Sequence, residues 1–344
     1  MRIAHLPFNI SSQITTTVRA LRDIGVEARG LAREGVITSN DYVETFPSRP
    51  KGLPGLCSPF HRYWRTLWLI AWADVVHWHF GPALHGALDV RFAKLLGKKM
   101  CIEFWGSDIR VWDVECADNQ MWAELPDGAD RPQATSQQMS EDVQNTFIRA
   151  GAAAVIPCPC LNLHLHMNTP RVFQTRQRIL LDDYTPQYPD GRNALPVVLH
   201  APSLRLVKGT VAVNAAVEDL RARGQQFEYR QNENMNHPDA LASMRQCDIY
   251  VDQLHLGCHG LAALEAMALG KPVVCYIKPT VRDKYPPELP IISADPHTIT
   301  DVLAELLSDR ERLAELGRKG RAYVERYHDA HMLSRELLGF YESL

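Results

Sequence analysis

The chain has 344 residues, of which 46% are hydrophobic and 22% charged, with a formal net charge of −3. That length exceeds one ordinary core and suits two domains of globular composition. Neither half is basic, which sets nucleic acid aside as a partner, and the eight scattered cysteines show no disulfide framework, as expected of a cytoplasmic protein.

Short apolar runs alternate with helical patterns, which predicts βα units and parallel sheets. Residues 2–6 read as a first strand. The N-terminal segment lacks the apolar core and cleavage site of a signal peptide. A helix follows over 11–24, with Val18, Leu21 and Ile24 at helical spacing and Gly25 as its stop. Residues 26–31 form a second strand. Residues 35–60 carry Pro47, Pro50, Pro54 and Pro59 and read as a long loop.

The stretch from His61 to Trp72 is aromatic with three basic groups. It reads as a core helix beside the sheet or as an interfacial helix making peripheral membrane contact. The apolar run 67–76 is broken by Asp74 and is too short to span a bilayer. Residues 74–79 form a strand, 84–96 a helix and 99–104 another strand. The polar stretch 105–135 reads as a functional loop. Residues 142–150 are helical, and 153–157 and 178–181 are strand-like.

Residues 182–196, with Pro186, Pro189, Gly191 and Pro196, have the composition of an interdomain linker. A second alternation follows. Strands are expected at 196–201, 226–230, 248–253 and 272–277. Helices are expected at 208–224, 239–246 and 261–269, and over most of 296–343.

Ligands of such sheets sit beyond the carboxyl ends of the strands, near helix N-termini that attract phosphate. Two segments meet that description. After the strand at 196–201, Arg205 and Lys208 stand in one short turn. They suit a diphosphate, although surface cations in an ordinary turn give the same pattern. After the strand at 248–253 comes Gly257-Cys258-His259-Gly260-Leu261, with Glu265 in the second turn of the following helix. A carboxylate there accepts hydrogen bonds from a ribose diol, or simply caps the helix dipole.

The Lys208-Gly209-Thr210 turn, the segment 265–274 (EAMALGKPVV) and the stretch 320–344 (GRAYVERYHDAHMLSRELLGFYESL) resemble the retaining GT-B glycosyltransferases of family 4. In the N-terminal half the likeness rests on 73–79 (ADVVHWH) and 104–110 (FWGSDIR). The resemblance implies an α/β GT-B fold: two Rossmann-like, doubly wound parallel-sheet domains facing a central cleft. Residues 1–185 would bind the acceptor and 186–344 the donor, with the last helix crossing back to the N-terminal domain.

The donor would be a nucleoside-diphosphate sugar, and the acceptor a small molecule, a glycan or a lipid-linked molecule. No metal or other cofactor is expected. The family's diphosphate-binding Arg and Lys map onto Arg205 and Lys208. The commoner spacing of that Arg falls on Ser203. The ribose-binding Glu maps onto Glu265. Gly209, Gly257, Cys258, His259, Gly260 and Leu261 complete the expected donor site.

Two family positions differ here. The first Glu of the family's E-x7-E pattern, which touches the sugar, is replaced by Gly257. The amides of Cys258, His259 and Gly260, or the His259 ring, are the candidate substitutes, since a glycine turn permits positive φ and close backbone approach. Relatives often carry His where this chain has Trp105, a side chain that stacks on sugar but exchanges no proton.

Asp108 and Arg110 become the polar candidates beside Trp105, with Asp108 joining Arg205 and Lys208 as a catalytic candidate. A strand-end salt bridge that fixes the loop is the competing reading for that pair. Asn9, Ser11 and Ser12, in the first loop, complete the acceptor side together with His79. Ser11 or Ser12 is also a candidate helix N-cap.

Cys158 and Cys160, followed by His164 and His166, lack a common zinc spacing and read as strand-end cysteines. His77 reads as a core histidine. The leading expectation is a retaining glycosyltransferase. A sugar-nucleotide epimerase and a non-catalytic nucleotide-sugar-binding protein are the alternatives.

Overall fold

The structure, a computed structural model, describes residues 1–33, 43–46, 52–126, 134–191 and 193–344. The chain divides into two compact units. The N-terminal unit comprises Met1–Trp112, Pro132–Leu180 and Ala330–Leu344, and the C-terminal unit comprises Asp113–Arg131 and Leu181–Asp329. Both are therefore discontinuous: an excursion after Trp112 and the return at Ala330 exchange chain between them.

The N-terminal unit is built on a parallel sheet of β1 (Arg2–Pro7), β2 (Glu27–Arg33), β3 (Val43–Phe46), β4 (Val75–His79), β5 (Lys99–Glu103), β6 (Ala153–Ile156) and β7 (Val172–Gln174). Its spatial order is β3-β2-β1-β4-β5-β6-β7, so the connection after β3 crosses back to the other side of β1, as in doubly wound sheets. One face of the sheet, with Ile3, Val75, Cys101 and Val155, packs against Ile14, Val18 and Leu21 and against Leu337 and Tyr341. The helices Gln13–Asp23 and Ala330–Ser343 supply those partners.

The C-terminal unit holds β8 (Val197–His200), β9 (Glu228–Gln231), β10 (Ile249–Val251) and β11 (Val273–Val274), again parallel, in the order β11-β10-β8-β9. Val198, Ile249 and Val251 pack on Val213, Val217, Leu220 and Leu303. The register pairs Val251 with His200. The carboxyl ends of β8 and β10 are thus level, and the two segments singled out in the sequence leave the sheet side by side.

Several expectations are corrected. The loop expected at 35–60 contains β3 and the start of a helix, Gly52–Trp72; the rest of it lies outside the described residues. Pro54 falls in the first turn, where a missing N–H costs nothing. The strand expected at 178–181 lies instead at Val172–Gln174. Arg178 is fully buried because it pairs with Glu103.

The stretch 105–135 includes the helices Trp112–Asp118 and Gln120–Ala123. The helix expected at 142–150 starts earlier, at Gln137, where the Ser136 side chain accepts the Met139 N–H at 3.2 Å. The helix expected at 208–224 is broken at Gly209 into Arg205–Lys208 and Thr210–Ala222.

Ser11 and Ser12 both have left-handed φ, at 45° and 61°, and neither side chain caps the helix. Asn9 caps it instead, its Oδ1 accepting the N–H groups of Ile14 at 2.9 Å and Thr15 at 3.2 Å.

Candidate functional site

In the C-terminal unit, β8 ends at His200, whose buried ring ties the two strand ends together. Its Nδ1 lies 3.0 Å from the Val251 carbonyl and its Nε2 lies 3.0 Å from the Thr210 hydroxyl. A carbonyl only accepts, so Nδ1 carries the proton and Nε2 accepts from Thr210. Burial holds this imidazole down at about 4, so it is neutral near pH 7.

The next turn bends at Gly209, with φ +75°, where an added Cβ would stand 2.8 Å from Leu254 Cβ. The turn thereby presents Lys208 to Asp252, the first residue after β10, and the two form an ion pair. Asp252 is buried, and its Oδ2 has no hydrogen-bond partner among the described residues. Arg205 is exposed and lies 3.2 Å from Glu233. Ser203 is also exposed. Two cations therefore flank one turn, one nearly buried and one at the surface.

The segment after β10 reverses at Gly257, with φ +77°. Its carbonyl accepts the Lys278 N–H at 2.9 Å. The Cys258 carbonyl accepts from the Gln253 side-chain amide and from Cys275 Sγ. His259 is buried, its ring 4.8 Å from Tyr285 and edge-on to His328 at 5.7 Å. Gly260 then starts the helix Leu261–Ala268.

Beneath this turn lies Lys278, fully buried. Its Nζ is 2.5 Å from Glu115 and 2.7 Å from Asp118. Asn119 donates to the His255 carbonyl at 2.8 Å. The 113–131 excursion thus supplies the floor of the turn.

Glu265 is buried on that helix, and its Oε1 accepts from Tyr184 at 2.8 Å and from His237 at 2.7 Å. Burial and the Glu265 charge push the Tyr184 hydroxyl up, so it stays a donor. The hydrogen bond to Glu265 raises His237 against the cost of its burial.

In the N-terminal unit, His79 is fully buried. Trp105 Nε1 donates to its Nδ1 at 3.3 Å, and its Nε2 is 3.0 Å from His5 Nδ1. Indole only donates, so the proton of neutral His79 sits on Nε2 and points to His5. His77 stacks on His79 at 4.5 Å and meets the Tyr341 hydroxyl at 2.5 Å.

Burial drives all three histidines down, His5 to about 3, and the Arg178 charge adds to this. Arg178 grips Glu103 through both carboxylate oxygens, at 2.7 and 2.8 Å. The ring nitrogens of His5, His77 and His79 lie within 4.8 Å of one another, close enough to consider a metal. The nearby Arg178 guanidinium opposes a dication, His5 already bonds His79, and His77 bonds the Tyr341 hydroxyl. The cluster fits a neutral hydrogen-bonded core.

Asp108 is buried and folds the following loop. Its carboxylate accepts the N–H of Trp105 at 2.9 Å, of Gly106 at 2.7 Å and of Ile109 at 3.1 Å. Burial raises it to about 6 against those bonds. Arg110 is buried beside it, its guanidinium 3.8 Å from Cys160 Sγ. Cys158 and Cys160 bring their sulfurs to 2.9 Å.

Within each unit, the expected residues therefore gather at the carboxyl ends of the strands. Sequence reasoning missed Asp252, Lys278, Tyr184, His237, His5, Glu103 and Arg178. Asp252 carried a usable signal, an acid directly after a strand. Tyr184 and His237 carried none, because only the fold brings them to Glu265.

Residues 229–323 match the family model described as Glycosyl transferases group 1. No curated protein sequence gives a significant match. The chain is similar in structure to sucrose-phosphate synthase from Thermosynechococcus elongatus, at 13% identity and a TM-score of 0.67, covering 100% of this chain and 99% of that one.

It is equally similar to HepE from Anabaena in complex with UDP and glucose, at 13% identity and a TM-score of 0.67, with both chains covered fully. WaaG, a glycosyltransferase involved in lipopolysaccharide biosynthesis, is similar at 12% identity and a TM-score of 0.60, with 98% of each chain covered. Likeness at such identities is a likeness of fold. The two parallel-sheet units have the fold of GT-B glycosyltransferases, and the C-terminal unit contains the segment matched to glycosyl transferases group 1.

Proposed function

We propose that the protein is a retaining, metal-independent glycosyltransferase of family 4 that moves a sugar from a nucleoside-diphosphate sugar to an acceptor hydroxyl. The C-terminal unit would hold the donor and the N-terminal unit the acceptor. The observation that carries this reading is the juxtaposition, at two adjacent strand ends, of the Arg205–Lys208 turn and the Gly257–Glu265 segment. Glu265 supplies a carboxylate for the ribose diol, with Tyr184 and His237 orienting it.

As the bond from sugar to diphosphate breaks, negative charge grows on the leaving group. Lys208 and Arg205 stabilise that charge, and they do so more in the transition state than in the ground state. The acceptor hydroxyl attacks the same face of the oxocarbenium-like sugar that the diphosphate leaves, and its proton passes to the departing diphosphate. HepE in complex with UDP-glucose makes a uridine donor the first to try. Asp108, committed to backbone amides, holds the Trp105 loop.

A second reading, a binding protein without transfer, draws on Gly257 standing where a sugar-binding carboxylate is expected. Incubation with a panel of nucleotide sugars and candidate acceptors decides the matter. Acceptor-dependent release of nucleoside diphosphate with the α or β configuration of the donor kept is the expected result. Tight donor binding without turnover across the panel would leave the second reading, and conversion of donor without release would indicate an epimerase.

A further inference from the structure

Asp252 and Gly260 face one another in the C-terminal unit. Asp252 is the first residue after β10, and its side chain is completely buried. Oδ1 is committed to Lys208. Oδ2 meets no hydrogen-bond donor among the described residues. A buried carboxylate oxygen left in that state destabilises the fold, which points to a donor on a ligand as its partner.

Gly260 marks the way to that oxygen. Its backbone is ordinary extended chain, with φ −101° and ψ −177°. A Cβ there would stand 3.8 Å from Asp252 Oδ2 and 3.7 Å from Gln253 Oε1, both ordinary contacts. Neither backbone conformation nor crowding therefore requires glycine at this position. Gly209 and Gly257 differ, since both have positive φ and a Cβ at either would crowd its neighbours. At Gly260 the missing side chain leaves an approach to Oδ2. The rest of the turn is committed: the Gln253 amide holds the Cys258 carbonyl, and the His259 ring packs on Tyr285.

The chemistry of Oδ2 narrows the ligand group. A carboxylate that holds an ammonium only accepts hydrogen bonds. It repels phosphate, and the Lys208 charge beside it opposes a second cation. A hydroxyl or an amide N–H is left. Lys208, on the other oxygen, is the proposed diphosphate ligand, so the group belongs to something joined closely to the diphosphate. The ribose is assigned to Glu265, five residues and about 7.5 Å further along the chain of that helix.

We propose that Asp252 selects the transferred sugar: its Oδ2 accepts from a hydroxyl of the sugar carried on the diphosphate, through the space left by Gly260. This rests on the donor site proposed above. Asp252 thereby supplies, from the end of β10, the carboxylate that the Gly257 turn lacks. One oxygen holds the lysine that serves the leaving group, and the other reads the sugar.

Calorimetry of the full chain compares UDP with UDP-glucose and UDP-galactose, and GDP with GDP-mannose. The readout is the affinity for the nucleotide sugar that wild type binds best, divided by the affinity for its diphosphate. In Asp252→Asn the ammonium turns the amide carbonyl towards Lys208, so an NH2 group replaces Oδ2, a donor in place of an acceptor. The ratio should fall by about tenfold or more while diphosphate binding is kept. Gly260→Ala leaves Asp252 and Lys208 in place and should lower the ratio by filling the approach to Oδ2.

Urea unfolding checks that each variant folds. No diphosphate affinity, or one that Lys208→Ala leaves unchanged, would remove the donor site and this assignment with it. Diphosphate affinity that depends on Lys208, with the ratio unchanged in Asp252→Asn, would overturn the assignment alone. Should Asp252→Asn not fold, an unchanged ratio in Gly260→Ala would overturn it in the same way.

Discussion

Gly257 and Lys278 exclude one another's growth: a Cβ on Gly257 would stand 2.8 Å from Lys278 Cδ and 2.9 Å from its Cγ. The glycine is where the glycosyltransferases this chain resembles in sequence place a glutamate. The space that its side chain would enter holds the aliphatic stem of a buried lysine. The turn is therefore a different solution from a glutamate turn, with its own floor, and has not simply lost a side chain.

Restoring the family residue should consequently fail. Gly257→Ala should cost about 1–2 kcal/mol from its left-handed backbone alone, with more from the contact. Gly257→Glu should be worse and should not raise transfer. Urea unfolding and a donor-release assay measure both. A Gly257→Glu protein of wild-type stability and higher turnover would show that the site is a weakened glutamate site.

Lys278 itself should be a stability residue. Its charge is buried against Glu115 and Asp118, and breaking a buried pair costs about 3–5 kcal/mol. Lys278→Met should lose stability on that scale. Adding Glu115→Gln should recover part of the loss, because the second change removes the more deeply buried of the two stranded charges. A double variant weaker than the sum of the two single ones would contradict the pairing.

Much of this arrangement was legible in the chain. The alternation of apolar runs and helical patterns located β1, β4, β5, β8 and β10, because strands buried on both faces are largely apolar. The Arg205–Lys208 turn and the Gly257–Glu265 segment were found by looking just beyond such strands. Legibility ended where a contact joins residues distant in sequence. Lys278 meets Glu115 across 163 positions and Glu265 meets Tyr184 across 81, and no local pattern encodes either.

Proline content misled the reading of 35–60, since a proline in the first turn of a helix looks the same in sequence as one in a loop. The Ser11 and Ser12 cap failed for another reason. Asn9 reaches past both serines, and their left-handed backbone turns the chain into the helix.

The N-terminal unit should unfold in acid through its histidines. His5, His77 and His79 are buried with lowered pKa, His5 at about 3. Below the ordinary histidine value near 6.5 the unfolded chain binds protons that the folded core refuses. Stability is therefore complete above about pH 6.5 and falls as pH drops from there towards 3. His5→Gln should flatten that slope while leaving stability above neutral pH less affected. Denaturant midpoints measured across the range decide it; an unchanged slope would remove His5 from the account.

His237 should act in the opposite sense. Its pKa is raised by Glu265, so its contribution is complete below about 6.5 and is lost as pH rises through the raised value. The group is partly exposed, so the effect is small. Glu265→Gln should abolish it, and should also weaken donor binding by about tenfold or more if Glu265 makes the proposed charge-assisted bond to the ribose. Chemical-shift titration of His237 reads the first effect and calorimetry with UDP-glucose the second. A His237 that titrates identically in wild type and Glu265→Gln would deny the coupling.

The Lys208–Asp252 ion pair gives the sharpest test of the donor site. A lysine kept for structure alone and one kept for a diphosphate respond differently when its carboxylate partner is neutralised. Lys208→Ala should weaken nucleoside-diphosphate binding by about tenfold or more, and should also destabilise the unit, because Asp252 keeps a buried charge.

Asp252→Asn releases the ammonium without removing it. If Lys208 serves the diphosphate, this variant should bind nucleoside diphosphate at least as tightly as wild type, although it folds less stably. If the lysine serves only Asp252, the variant should lose stability with no change in affinity, and Lys208→Ala should leave affinity intact as well. Cys158→Ser, placed in the other unit, should match wild type in both measurements. A donor affinity that is the same in Lys208→Ala, Glu265→Ala and Cys158→Ser would move the donor site away from these strand ends.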